Sequence, residues 1–91
     1  MLTFPLKKEW YEKIKSGEKT IEYREVKPYW RNRLINYFQA VCKLRLGYTK
    51  KYMTARIIRI EIVNGKDTDL HIDKPVYAIH LVDVKEVNDE N

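Results

Sequence analysis

Ser16-Gly17-Glu18-Lys19-Thr20-Ile21-Glu22-Tyr23-Arg24 reads as a helix exit followed at once by a strand. Gly17 closes an amphipathic stretch over 7–15, because glycine reaches the left-handed conformation of a helix end without a Cβ penalty. From Thr20 the chain extends and its side chains alternate. The expectation is that Ile21 and Tyr23 face the core while Thr20, Glu22 and Arg24 share the opposite, polar face. Lys19 stands at the mouth of the turn. An ammonium, a hydroxyl, a carboxylate and a guanidinium therefore converge on one small volume.

Outward from this run, Leu2 to Leu6 is a short opening strand. The following helix over 7–15 sets Leu6, Trp10 and Ile14 at i, i+4, i+8 spacing. Pro28 starts a second helix in which Trp30, Leu34 and Phe38 recur every four residues, with Arg31 and Arg33 on its other side. Ala40 to Leu46 alternates Val41, Lys43 and Arg45 against Cys42, Leu44 and Leu46, a half-buried strand ending in a turn over Gly47 to Lys51. Met53 to Val63 is a β-branched strand expected to put Ile58, Ile60 and Ile62 on one face and Ile57, Arg59 and Glu61 on the other. Asn64-Gly65 is a turn signal, and Lys66 to Lys74 reads as a polar surface loop closed by Pro75. Val76 to Val84 is apolar on both faces and is expected to be a central strand.

These elements predict an α+β fold. About five strands and two flanking helices form a small mixed sheet, closed into a partial barrel because closure removes vulnerable edges. The chain has 91 residues, 44% of them hydrophobic, which suits one domain over 1–87 followed by a frayed acidic tail at 88–91. Nothing approaches the run of about 18 apolar residues that a membrane helix needs, and the opening residues lack the apolar run of a signal peptide. A soluble cytoplasmic protein with no membrane partner is the expectation. Cys42 is the only cysteine, so an intrachain disulfide and a zinc site built on thiolates are excluded, and it reads as a small core residue. His71 and His80 have no companions at ligand spacing, so no metal and no cofactor is expected. Charge is unevenly placed. Residues 1–60 hold 15 Lys/Arg against 5 Asp/Glu, a net +10, whereas residues 61–91 hold 3 against 8, a net −5. A basic surface of that kind attracts polyanions, since phosphate neutralisation by Lys and Arg dominates nucleic-acid affinity.

Lys7-Lys8-Glu9-Trp10 ahead of Gly17-Glu18-Lys19-Thr20-Ile21-Glu22-Tyr23-Arg24 resembles the ASCH domain of the PUA-like superfamily. The likeness continues through Leu44-Arg45-Leu46-Gly47-Tyr48, through 55–63 and through Tyr77-Ala78-Ile79-His80-Leu81, so it spans essentially the whole chain. The resemblance implies a β-barrel with a cleft beside the Gly-x-Lys-Thr-x-Glu-x-Arg motif, a fold associated with RNA or nucleotide binding and in some members with hydrolysis. One branch of the family hydrolyses acetylated cytidine with a lysine, a threonine nucleophile three positions later and a distant glutamate. Here Lys19 matches the lysine, but Glu22 occupies the nucleophile position. Thr20 stands one pleat repeat away, roughly 7 Å.

The expected ligand is RNA or a small nucleotide or nucleoside, held by Lys19, Thr20, Glu22 and Arg24. Arg24 forks onto a phosphate or base edge, Lys19 supplies a compact charge, and Glu22 orients Arg24 or accepts from an amino group. Arg31, Arg33, Tyr48, Lys50 and Lys51 supply a nucleic-acid rim, with Tyr23, Tyr29 and Tyr52 as further stacking candidates. Trp10 and Trp30 are assigned to the core. Two alternatives stand beside this reading: a hydrolase of a modified nucleoside or of RNA with Lys19 and Glu22 as its acid/base pair, and a non-catalytic protein-interaction module.

Overall fold

A computed structural model describes residues 2–34 and 40–87. Strand β1 (Thr3–Leu6) leads into helix α1 (Lys8–Ser16), strand β2 (Ile21–Glu25) and helix α2 (Pro28–Leu34). Strands β3 (Val41–Leu46), β4 (Tyr52–Asn64) and β5 (Pro75–Val87) complete a five-stranded mixed sheet of order β1-β3-β4-β5-β2. Only β1 and β3 run parallel; the other pairs are antiparallel. The fold is a small α+β domain with two helices. β5 is central, flanked by β4 and β2, as its two apolar faces imply. Phe38 and the acidic tail at 88–91 lie outside the described residues.

One core joins the inward face of the sheet to both helices. Phe4, Cys42, Leu44, Met53, Ile57 and Ile79 are fully buried from the strands, and Tyr11, Ile14 and Leu34 meet them from the helices. Burial of so many large apolar side chains is the main stabilising term, at roughly 1.5–3 kcal/mol for each. Tyr11 is the larger helix contributor: Trp10, expected in the core with Ile14, is half-buried and packs at its edge. Cys42 is buried in that core, and desolvation pushes its thiol up to about 12.

Two expectations about strand faces are corrected. In β2 the buried residue is Glu22, whereas Ile21 and Tyr23 are half-buried on the outward face. Glu22 shares its register with Ile79, a core residue, and its charge is matched there by Arg24 and Lys19. In β4 the buried positions are Met53, Ala55 and Ile57, and Ile58 and Ile62 are 43% and 61% exposed. The register jumps between Ile57 and Arg59, which pair with the consecutive Leu81 and His80, so Ile58 is an extra residue that resets the alternation. A second irregularity lies between Thr54 and Arg56, opposite Asp83, which adopts φ 55°.

The 66–74 segment is less of a surface loop than its composition implies. It starts with a 3-10 turn, Gly65–Asp67, whose amide at Lys66 donates to the Asn64 side chain at 2.8 Å. Thr68 is buried and donates through its hydroxyl to the Gly65 carbonyl at 2.8 Å. A Cβ on Gly65 would stand 2.7 Å from Val76 Cγ1 and 2.8 Å from the Ile72 carbonyl oxygen, and the backbone oxygen cannot swing aside. Gly65→Ala is therefore expected to destabilise the protein by about 1–3 kcal/mol, the range for overpacking a filled interior. Urea unfolding checks this, and an unchanged midpoint would refute the packing assignment.

Candidate functional site

The helix exit builds the site as the local sequence implies. Gly17 adopts φ 86° and its amide donates to the Ile14 carbonyl at 3.1 Å, while the Lys19 amide donates to the Lys13 carbonyl at 3.0 Å. The turn is thus closed twice, and Lys19 is carried back towards α1 just before β2 begins. Its ammonium stands 5.2 Å from the ring centre of Trp10 and 5.0 Å from that of Tyr23, an aromatic clamp suited to a cation.

Glu22 is the hub. It is 6% exposed, and its Oε2 accepts from Arg24 Nε at 2.9 Å, with the Arg24 terminal nitrogen Nη2 at 2.7 Å. Its Oε1 lies 3.7 Å from Lys19 Nζ, close enough for ion pairing but beyond a hydrogen bond, so that oxygen keeps acceptor capacity. Burial raises the Glu22 carboxyl above its ordinary value; Arg24 and then Lys19 pull it back, and Asp69 adds a smaller upward push.

Arg24 reaches further. Its Nη2 donates to the Pro5 carbonyl at 2.8 Å, so one guanidinium joins the edge strand β2 to the other edge strand, β1. Its carbon lies 5.3 Å from the ring centre of Phe4 and 5.0 Å from that of Trp30, and those two rings stack at 5.2 Å and 20°.

Asp69 completes the site without any signal in the local sequence. It projects from the segment between β4 and β5 and pairs with Lys19, 50 residues away in sequence. No local pattern singled it out among the acids of that loop. The contact appears only when the loop folds beside β2.

A cavity of about 540 Å³ opens at this cluster, between the edges β1 and β2, with Pro5, Trp10, Glu22, Arg24, Trp30 and Leu70 in its wall. Trp10 and Trp30 thus combine core packing with a face to the cavity. An adjoining hollow of about 300 Å³ holds Lys19 and Thr20, and Trp10, Tyr23 and Asp69 line both. The structure therefore brings Lys19, Glu22 and Arg24 together and leaves Thr20 exposed at the outer hollow. The expected rim does not line either space. Arg31 and Arg33 lie on the exposed side of α2, where Arg33 stacks on Tyr29 at 3.5 Å. Tyr48, Lys50 and Lys51 belong to the turn between β3 and β4, and Lys51 pairs with Glu86 at 3.6 Å.

The arrangement offers a planar ligand a wall of indole rings, a buried carboxylate oxygen as acceptor and two fixed cations. Comparison of the chain with models of protein families, with curated proteins and with solved structures finds no match. Among the described residues no group of three or more His, Cys, Asp or Glu is placed to hold a metal ion, and no helix is long and apolar enough to cross a membrane.

Proposed function

We propose that this chain is a small PUA-like domain of the ASCH type that binds a nucleobase, presented by RNA or by a free nucleotide or nucleoside, in the cavity between β1 and β2. The observation that carries this reading is the Glu22–Arg24 ion pair at the floor of a cavity walled by Trp10 and Trp30. Glu22 Oε1 accepts from an exocyclic amino group, the indoles stack on the base, and Lys19, in the adjoining hollow, meets an oxygen of the part of the ligand that extends past the cavity. The volume, about 540 Å³, falls within the span of roughly 300–1,000 Å³ usual for small-molecule sites. The hydrogen bond from Arg24 to the Pro5 carbonyl links β2 to β1 through one side chain, which supports a partial barrel.

Thermal unfolding against a panel of nucleosides, nucleotides and short RNAs tests the proposal. A ligand at a hundred times its Kd stabilises by about 2.7 kcal/mol, a shift of roughly 10–20 °C for a domain of this size. The shift is expected in the wild type and lost in Lys19→Ala. No shift with any member would overturn the proposal and favour the interaction-module reading, and a shift that persists unchanged in Lys19→Ala would overturn the assignment of the ligand to this site.

A hydrolase is the second reading, favoured by one observation: a buried carboxyl with a raised pKa lies 3.7 Å from an ammonium, as an acid/base pair requires. It differs from simple binding by turnover of an acylated cytidine or of RNA, read by product analysis, and by loss of that turnover in Glu22→Gln with folding intact.

A further inference from the structure

Among the described residues α1 and α2 both pack on the inward face of the sheet, so neither covers the outward face. Further along β4 and β5 that outward face carries ion pairs, Arg56 with Asp83 at 4.0 Å and Arg59 with Glu61 at 3.0 Å, whereas its end around β3 is basic and aromatic. Lys43 and Arg45 point outward, on either side of the fully buried Leu44, and are separated along the strand by about 7 Å. Lys43 shares its register with Thr54 and through it with Lys85, forming a row across β3, β4 and β5. Lys43 Nζ lies 4.3 Å from the ring centre of Tyr52, and the Arg45 guanidinium carbon 5.3 Å from that of Tyr48, which is 87% exposed. Among the described residues, Lys43, Arg45 and Lys85 have no carboxylate partner. The carboxylate of Glu86, by contrast, is taken by Lys15 and Lys51.

A surface charged only for solubility mixes both signs and needs no aromatic companions. Here three uncompensated cations stand beside two tyrosines, the combination by which proteins track a nucleic-acid strand: cations on phosphates, rings on bases. The face also lies next to the cavity. Pro5 pairs in register with Arg45, and its carbonyl receives Arg24, so β1 alone separates the basic face from the cavity wall.

We infer that the outward face at the β3 end of the sheet, with Lys43, Arg45, Tyr48 and Tyr52 and with Lys85 of β5, binds the backbone of single-stranded RNA. Lys43 and Arg45 take neighbouring phosphates and Tyr48 stacks on a base. This goes beyond the cavity reading, which free nucleosides test without touching this face, so the two fail separately.

The test is fluorescence anisotropy of a labelled RNA of about twelve nucleotides, titrated over a range of salt. Three phosphate contacts predict a log–log salt slope of about −2. The double variant Lys43→Glu/Arg45→Glu is expected to bind about tenfold more weakly or worse, while Lys66→Glu/Lys74→Glu, which changes net charge equally but lies in the loop between β4 and β5, stays within about twofold. Lys85→Glu, an exposed single change, moves affinity in the same direction as the double variant and guards against a folding defect in it. Failure of the wild type to bind RNA would overturn the inference, as would equal weakening by the two charge-matched pairs. So would binding to vesicles of anionic lipid through Lys43 and Arg45 with none to RNA, which would assign the face to a membrane surface.

Discussion

Arg24→Ala is expected to cost about 3 kcal/mol of stability at neutral pH, within the roughly 3–5 kcal/mol that follows when one partner of a buried ion pair is removed. In a domain of this size that lowers Tm by roughly 12–24 °C. The cost arises at Glu22, which is 6% exposed and would keep only the 3.7 Å contact to Lys19. Loss of the Arg24 bridge to Pro5 and of its packing on Phe4 and Trp30 adds to it. The effect has a pH signature. Burial already holds the Glu22 carboxyl above its ordinary 4.5, so the folded protein keeps that proton to higher pH than the unfolded chain does. Such a group subtracts stability as pH rises above its unfolded value and subtracts nothing below it. Without Arg24 the folded value climbs further, so the deficit grows as pH rises above the ordinary value and shrinks as pH falls towards it. Urea unfolding of both proteins at about pH 7 and about pH 5 reads this out. A deficit equal at the two pH values would remove Glu22 as its source.

Phe4→Ala should cost as much, about 3–5 kcal/mol, by opening a cavity under the site. Phe4 has no exposed surface, stacks on Trp30 and lies beneath the Arg24 guanidinium. Phe4→Leu keeps most of the volume and should cost less than about 1.5 kcal/mol. Because Phe4 and Arg24 touch, their losses should not add: a double-mutant cycle is expected to give a coupling of about 0.5–3 kcal/mol. Additive losses would mean that the guanidinium draws its support from Glu22, Pro5 and Trp30 and none from Phe4. Phe4→Leu also separates packing from binding, since it leaves the fold intact while loosening Trp30, so the nucleoside-dependent rise in Tm should fall more than the unliganded Tm does.

The part of the site legible in the sequence is the part made by neighbours in the chain. Gly17 marked the helix exit, and the spacing of Lys19, Glu22 and Arg24 around one turn and one strand was enough to bring three charged groups together. Asp69 was not legible, because its contact with Lys19 closes a loop of 50 residues and depends on how Gly65 and Thr68 fold that segment. Helical spacing assigns the tryptophans to the core because it reports which residues share a stripe. It does not report where the stripe runs out, and Trp10 and Trp30 sit at that border, half on the core and half on the cavity.

Strand faces mark the boundary most clearly. Alternation in β2 determined that Glu22 and Arg24 share one side and Ile21 and Tyr23 the other, since the pleat has a period of two whatever the surroundings. It did not determine which side turns inward. That was decided by the register of Glu22 with Ile79 and by two cations that make the burial of a carboxylate tolerable. In β4 even the alternation fails locally, because the partner strand offers Leu81 and His80 to Ile57 and Arg59 and leaves Ile58 unpaired. By itself the sequence determined the elements, their order, the α+β class and the local charge cluster, all of which rest on backbone preference and short-range periodicity. The tertiary structure alone decided which faces are buried, that Asp69 completes the site, and that the cavity opens between two edge strands joined by Arg24, because those outcomes depend on pairing between residues far apart in the chain.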